Sequence, residues 1–352
     1  MTKDRTILIK NIYYMLSYAF TILRKEEYEK VAAENFDNLH SLFAAILAAG
    51  VGRQLKQGLY REYISRHETM PGLRGKIDMT ETVRLIMGQK KLIACEFDDF
   101  SENNLLNQIL KTVMELLLKH AEVKAEQKAE LRKELLFFSE VDYTDLTAVR
   151  WQSIQFQRNN AAYRMLISLC QLITEGMLQT TEEGTFHLAS FMDEQRMSRL
   201  YEKFILEYYI REHPEIRASA SQISWALDDG VGTLLPVMQS DIMLQKGNRV
   251  LIIDAKYYGH TMQTNYDVKT IHSANLYQIF TYVKNKEEEM KSLSGHQTAG
   301  MLLYARTDEE LQPEGDYQMS GNRISVRTLD LNQEFSSIAA QLDAITEDFF
   351  AG

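Results

Sequence analysis

The residues best suited to chemistry lie in the segment MQSDIMLQKGNRVLIIDAKYY. Asp241 stands at the head of its first apolar run, and Asp254 and Lys256 stand at the end of the second. Gly247 and Asn248 between the runs are a hairpin signal. They predict strands over Ser240–Leu244 and Arg249–Lys256 joined by a turn at Gln245–Asn248. Residues two apart on a strand share a face, so Asp254 and Lys256 project together, with Ile252 on the same side further down. Pairing of the two arms brings Asp241 beside Asp254. Facing carboxylates are costly unless a cation joins them. Hard oxygen donors favour Mg²⁺, which uses one or two carboxylates plus waters and substrate phosphate. A lysine at such a site can orient or deprotonate an attacking water, or stabilise charge at phosphorus. The chemistry indicated is phosphodiester hydrolysis. Taken alone, the same three residues also fit a salt bridge at a sheet edge.

The flanking sequence supplies elements to hold them. Before the hairpin, Met197, Leu200, Tyr201, Phe204, Ile205 and Tyr208 recur at helical spacing and predict a helix over Asp193–His213. Gln222–Leu227 reads as a strand, Ser273–Lys286 as a helix, and Ala299–Ala305 and Ile324–Leu331 as strands. A helix between strands usually marks a crossover, so the region is α/β or α+β with a mixed sheet. Upstream, Ile12, Met15, Leu16, Ala19 and Phe20 give a first helical stripe, and Leu39–Leu55 a second. Short segments punctuated by Pro71, Gly72, Gly75 and Gly88 predict a β-rich module over about 58–97. Helical spacing returns over Asn103–Phe138 and Ala161–Leu178. A break at Thr180–Thr185 then divides the chain into regions 1–180 and 186–352.

Asp241, then Asp254-Ala255-Lys256 thirteen positions later, resembles the PD-(D/E)xK nuclease signature. Gln278 and Tyr282 lie i, i+4 on the following helix, and Glu202 lies on the preceding one, as in the RecB-like branch. Each has a plainer reading alone: a solvated Gln, a packed Tyr, an exposed Glu. Their order on helix, strand, strand and helix is what joins them. The proline of the signature does not directly precede Asp241, since Pro236 lies five positions upstream.

A closer resemblance runs along nearly the whole chain. IKNIYYMLSYAF, PGLRGKIDMTETVR, NNLLNQILKTVMELLLKH, LLPVMQSDI, VLIIDAKYY and HSANLYQIFTYV look like McrC proteins, the nuclease subunits of McrBC modification-dependent restriction systems. The resemblance implies a mainly helical N-terminal region with a small β-rich module, followed by a restriction-endonuclease-like domain whose mixed central sheet is flanked by helices. It implies catalytic roles for Asp241, Asp254, Lys256, Glu202, Gln278 and Tyr282, with Asp241, Asp254 and Glu202 holding Mg²⁺. It also implies an AAA+ GTPase ring, McrB, that reads modified cytosine such as 5-methylcytosine in double-stranded DNA, and pairing of nuclease subunits. A solitary RecB-like repair nuclease, and a non-catalytic activator of the ring, are the alternatives.

The sequence fits a partner of that kind, because GxxxxGK[ST] is absent: Gly75-Lys76 is followed by Ile77, and position 70 is Met. Between Arg53 and Asp78, six basic residues (Arg53, Lys56, Arg61, Arg66, Arg74 and Lys76) face three acidic ones. This local reversal is the candidate docking surface.

Composition bounds the rest. At 352 residues, 45% apolar and 25% charged, the chain exceeds the usual size of a single core. No stretch suits a membrane span or a signal peptide, and two cysteines, Cys95 and Cys170, set in apolar runs, read as buried thiols of a cytoplasmic protein. The net charge of −10 argues against a protein that coats nucleic acid. Its distribution matters more, because residues 306–352 carry three basic and ten acidic side chains. The rest of the chain is nearly balanced, and DNA remains admissible as a substrate held chiefly by a partner.

Overall fold

The computed structural model describes residues 9–19, 31, 34, 36, 38–157, 160, 162–180, 186–188, 194–230, 232–258, 261–265 and 268–351. The chain forms two compact units, one of Met1–Lys25 with Gln179–Gly352 and the other of Glu26–Leu178. The expected division was linear, with the first helix in the N-terminal region. Instead α1 (Ile9–Ala19) belongs to the C-terminal unit. The reason is Asn11, which interrupts the apolar stripe of α1. It is 2% exposed, and its Nδ2 donates to the carbonyls of Leu331 and Gln333, each at 2.7 Å. The break expected over Thr180–Thr185 lies outside the described residues beyond Thr180.

The unit Glu26–Leu178 opens with α2 (Leu39–Gln57), capped by the Asn38 side chain on the Ser41 N–H. The β-rich module follows as β1 (Glu62–Met70), β2 (Lys76–Ile77) and β3 (Ile93–Ser101), in the order β1-β3-β2. A short helix α3 (Met79–Met87), capped by Asp78, interrupts it. Gly75 has φ +71°, and a Cβ there would meet the Glu96 carbonyl at 2.4 Å, so only glycine lets β2 lie against β3. Helices α4 (Leu105–Lys119), α5 (Ala125–Leu135) and α6 (Tyr163–Met177) complete the unit around Leu106, Ile109, Leu110, Val113 and Leu117. Cys95 and Cys170 are buried free thiols, as expected.

After the short strands β4 (Leu178–Thr180) and β5 (Phe186–Leu188), the long helix α7 (Glu194–Glu212) leads into the C-terminal sheet. Its strands are β6 (Arg217–Ser219), β9 (Ile242–Lys246), β10 (Arg249–Lys256), β13 (Gln297–Ala305), β14 (Gly315–Met319) and β15 (Asn322–Leu329), in the order β14-β15-β13-β10-β9-β6. β10, β13 and β15 run parallel and the remaining pairs are antiparallel, giving the mixed sheet expected. The strand expected over Gln222–Leu227 shrinks to β7 (Gln222–Ile223), which pairs outside the main sheet with β8 (Met238–Gln239). A small hairpin of β11 (Met262–Asn265) and β12 (Val268–Ile271) precedes helix α8 (Ser273–Met290). A terminal helix α9 (Phe335–Phe350) closes the unit.

Val250, Leu251, Ile252 and Ile253 are all buried, the signature of a central strand covered on both faces. On one face Ile252, Leu302, Ile324 and Val326 pack beneath Ile279 and Val283 of α8. Gly300 of β13, opposite Ile252 in register, makes this approach possible. A Cβ at Gly300 would lie 2.8 Å from both Ile279 and Val283 and 3.0 Å from Ile324. Gly300→Val is therefore expected to destabilise the protein by about 1–3 kcal/mol through overpacking, read as a lower midpoint in urea with an unchanged slope. Helix α7 carries Tyr201, Phe204, Ile205 and Tyr209 into the unit, packs on β10, β9 and α1, and is tied to α9 by the Tyr209 hydroxyl donating to the Leu342 carbonyl at 3.0 Å. Tyr14 of α1 stacks on Phe335 of α9 at 4.5 Å between centroids.

Candidate active site

The hairpin forms with Ile253 opposite Ile242, which aligns Asp254 with Asp241 at its open end. Asp241 sits just before β9 rather than on it. Its Oδ2 accepts the backbone N–H of Ala255 at 3.0 Å, fixing one carboxylate beside the other. Lys256 Nζ donates to Asp254 Oδ1 at 2.9 Å and lies 2.8 Å from Oδ2. Asp254 is 1% exposed, and the Lys256 side chain is 14% exposed.

The electrostatics follow from this burial. Loss of water pushes the Asp254 carboxyl up to about 7, and the Asp241 charge adds to the rise against the opposing pull of Lys256. Burial alone would favour the neutral amine of Lys256, but Asp254 and Asp241 outweigh it and hold the ammonium form above its ordinary range. The Glu202 carboxyl is also raised, first by burial and then by Asp241, with Lys256 opposing. Glu202 of α7 thus feels the charges of Asp241 and Lys256, and Ser198 donates to its Oε1 at 3.0 Å.

Helix α8 contributes from the face that covers Ile252. Gln278 Oε1 accepts from Lys256 Nζ at 3.4 Å, and Gln278 Nε2 donates to the Tyr282 hydroxyl at 3.0 Å. Tyr282 is 9% exposed within the core, as the packed-tyrosine reading has it, and its hydroxyl accepts from Gln278, the amide that meets the lysine. Asp241, Asp254, Lys256, Gln278 and Tyr282 are joined by one chain of hydrogen bonds, and Glu202 acts on it through the charges of Asp241 and Lys256.

The donor set fits a divalent cation. Asp254 is 1% exposed and shares the single ammonium of Lys256, which lies 2.9 Å from Oδ1 and 2.8 Å from Oδ2. Asp241 and Glu202 add carboxylates that act on the same ammonium, which gives hard oxygen donors with a deficit of positive charge.

A second network lies next to this one and was not seen in the sequence. Asn275, 6% exposed, donates to the Tyr304 hydroxyl at 2.9 Å and accepts from the Tyr258 hydroxyl at 3.4 Å. Tyr304 stands opposite Lys256 on β13, and burial raises its hydroxyl to about 12. Asn275 lies three positions before Gln278 on the same helix face, a spacing that could have revealed it.

The six basic residues of the module are arranged differently from a cationic patch. Arg61 pairs with Glu102 at 2.6 Å, and Arg66 pairs with Asp99 at 3.1 Å. Arg74 pairs with Asp99 at 3.2 Å and lies over the Phe97 ring at 4.0 Å. The acidic strand β3, outside the window counted in the sequence, offsets much of the local excess. Lys56 and Lys76 are exposed, and Arg53 is half-buried on α2. More prominent is an apolar surface: Met79, Val83, Ile86 and Met87 of α3 are 65, 46, 63 and 79% exposed. Tyr63 of β1 and Phe100 of β3, 74 and 53% exposed, pair across the sheet at 5.0 Å between centroids.

Comparison with known proteins adds the following. A family model described as McrBC 5-methylcytosine restriction system component matches residues 3–305. The chain is 28% identical over 347 residues to the Escherichia coli K12 protein described as type IV methyl-directed restriction enzyme EcoKMcrBC, covering 97% of this chain and 98% of that one. Among solved structures it is similar to a half-complex from a tetradecameric assembly of Thermococcus gammatolerans McrB AAA+ hexamers with bound McrC. There the TM-score is 0.54 at 20% identity, over 96% of this chain and 76% of that one.

Proposed function

Because this chain belongs to the family of McrBC 5-methylcytosine restriction system components, we propose that it is the DNA-cutting subunit of such a system, a Mg²⁺-dependent endonuclease of the cytoplasm. The observation that carries this reading is the buried cluster of Asp241, Asp254 and Lys256, in which one ammonium serves two carboxylates. Among the described residues no helix is long and apolar enough to cross a membrane, which is compatible with that setting.

Asp241, Asp254 and Glu202 would hold Mg²⁺, which supplies Lewis acidity at the scissile phosphate and lowers the pKa of water. Lys256, kept as an ammonium between Asp254 and Gln278, brings positive charge to the developing phosphorane and orients the attacking water through its remaining hydrogens. Gln278 and Tyr282 fix the direction of that ammonium. The Ala255 N–H holds Asp241 still, so the carboxylates need little reorganisation as charge develops.

The similar Thermococcus structure contains McrB AAA+ hexamers with bound McrC. For this chain the corresponding partner is an McrB-like GTPase ring that reads modified cytosine in double-stranded DNA and grips it. That division suits a chain without a phosphate-binding loop and with an acidic sum. The module β1-β3-β2 with α3 is the docking region of this reading. Arg61, Arg66 and Arg74, held by acidic partners, and Lys76, Lys56 and Arg53 remain the basic residues offered for docking, beside the exposed apolar residues of the module.

The test is reconstitution. The chain mixed with its McrB-type partner, GTP and Mg²⁺ is expected to cut DNA carrying 5-methylcytosine and to leave unmodified DNA intact. EDTA should stop cleavage while the partner complex persists in size-exclusion chromatography. Equal cleavage of modified DNA by the chain alone would favour the solitary-nuclease alternative.

A further inference from the structure

The unit Glu26–Leu178 contains a cluster that nuclease chemistry does not use. His40 is the second residue of α2, His120 ends α4, and Glu122 lies two residues further on. One donor atom from each lies within 4.8 Å of the others. The imidazoles stack with centroids 3.8 Å apart and an interplanar angle of 23°. His40 Nδ1 lies 2.9 Å from Glu122 Oε2, and His120 Nδ1 is buried without a hydrogen-bond partner. A buried, unpartnered imidazole nitrogen beside a second imidazole and a carboxylate is an expensive arrangement if nothing binds there.

We propose that His40, His120 and Glu122 form a binding site for a zinc-class divalent transition cation. Two imidazole nitrogens and one carboxylate are a zinc donor set, with room for water in the fourth position. Imidazole disfavours Mg²⁺ and Ca²⁺, which take oxygen donors. The site is also preorganised. Asn38 Nδ2 and the Ser41 hydroxyl donate to the Glu122 carbonyl at 2.9 and 3.2 Å, and the Lys124 N–H donates to Ser41 Oγ at 3.1 Å. These bonds tie the start of α2 to the turn between α4 and α5, so the ligands arrive on backbone that is already fixed. Burial lowers the pKa of both imidazoles, and for His40 the neighbouring ring lowers it further, with Glu122 opposing at both. The nearby ammonium of Lys128 acts against a cation and bears on His120. The Glu122 carboxylate, 56% exposed, provides the compensating charge and marks the solvent side of the site. The bound ion would clip the two helix ends together.

The test uses the full chain with any affinity tag removed, stripped with EDTA, dialysed and titrated with Zn²⁺ or Co²⁺. Because the nuclease carboxylates also attract divalent ions, Asp254→Asn is the comparison. One zinc per chain is expected to survive dialysis in the native protein and in Asp254→Asn, and to raise the Tm of both. Co²⁺ should give visible d–d absorption typical of imidazole ligation. His120→Gln and Glu122→Gln are each expected to weaken binding by more than about tenfold. Glu122→Gln changes only an exposed carboxylate, so a metal-free Tm equal to the native value separates lost ligation from lost folding. Zinc retained unchanged by His120→Gln, or no zinc retained by the native chain, would overturn the site.

Discussion

Asp254→Asn is expected to lower DNA cleavage by at least about 10³-fold, the scale of removing one electrostatic group from a reacting centre. Its Tm should stay equal to the native value or rise. The carboxyl of Asp254 stands at about 7 because it is buried 1% exposed beside a second acid. Asparagine keeps one of the two oxygens that Lys256 approaches and removes a charge that is costly to bury, while Asp241 still balances the ammonium. A site built for stability would show the opposite sign. Lys256→Ala should lose cleavage equally, but with a different stability signature. It strands the Asp254 carboxylate in the interior, and breaking such a buried pair costs about 3–5 kcal/mol. Both variants should still assemble with the GTPase partner. Cleavage assays on 5-methylcytosine DNA, thermal unfolding and size-exclusion chromatography read the three quantities. Cleavage surviving either substitution would remove that residue from the site.

Ile86→Glu combined with Met87→Glu is expected to reduce stimulation of the partner's GTPase by about tenfold or more, the scale of interface hot spots. The Tm of the chain should barely move, because both side chains are already exposed, at 63 and 79%. Four large apolar residues on one nine-residue helix are too many for an ordinary surface. Lys76→Glu, on the exposed β2, should weaken stimulation less. Arg61 and Arg74, two of the six basic residues read from the sequence, are poorer probes. Reversing Arg74 would break its pair with Asp99 and its contact with Phe97, so a loss of stimulation would mix docking with local stability. Unchanged GTPase stimulation in the Ile86/Met87 variant would move the docking surface elsewhere.

The carboxylate hairpin was legible because Gly247 and Asn248 mark its turn and strand periodicity puts Asp254 and Lys256 on one face. The turn was expected over Gln245–Asn248, but β9 continues to Lys246, and it is the resulting two-residue loop that aligns Asp241 with Asp254. Gln278 and Tyr282 were readable for the same reason, since i, i+4 on a helix is a fixed neighbourhood. Asn275 and Tyr304 were not, because their meeting depends on the parallel alignment of β10 with β13 across a long crossover. The charge of the β-rich module misled because it was counted along the chain. Asp99 and Glu102 lie far from Arg66 and Arg61 in sequence and meet them only through antiparallel pairing of β1 with β3. The strand expected beyond Ile223 fails because its partner is only the two-residue β8. The allegiance of α1 was hidden in Asn11, which looks like an interruption until its acceptors near Leu331 are known.

That last contact sets an order of events during synthesis. Helix α1 leaves the ribosome early, yet Leu331 and Phe335 arrive some 320 residues later. Meanwhile everything in Glu26–Leu178 can fold as an inserted body, as domains generally do during translation. The C-terminal unit is completed only when β15 and α9 emerge to receive the waiting helix. A nascent chain that stops short of Leu331 therefore carries Asp241 and Asp254 on an unfinished sheet.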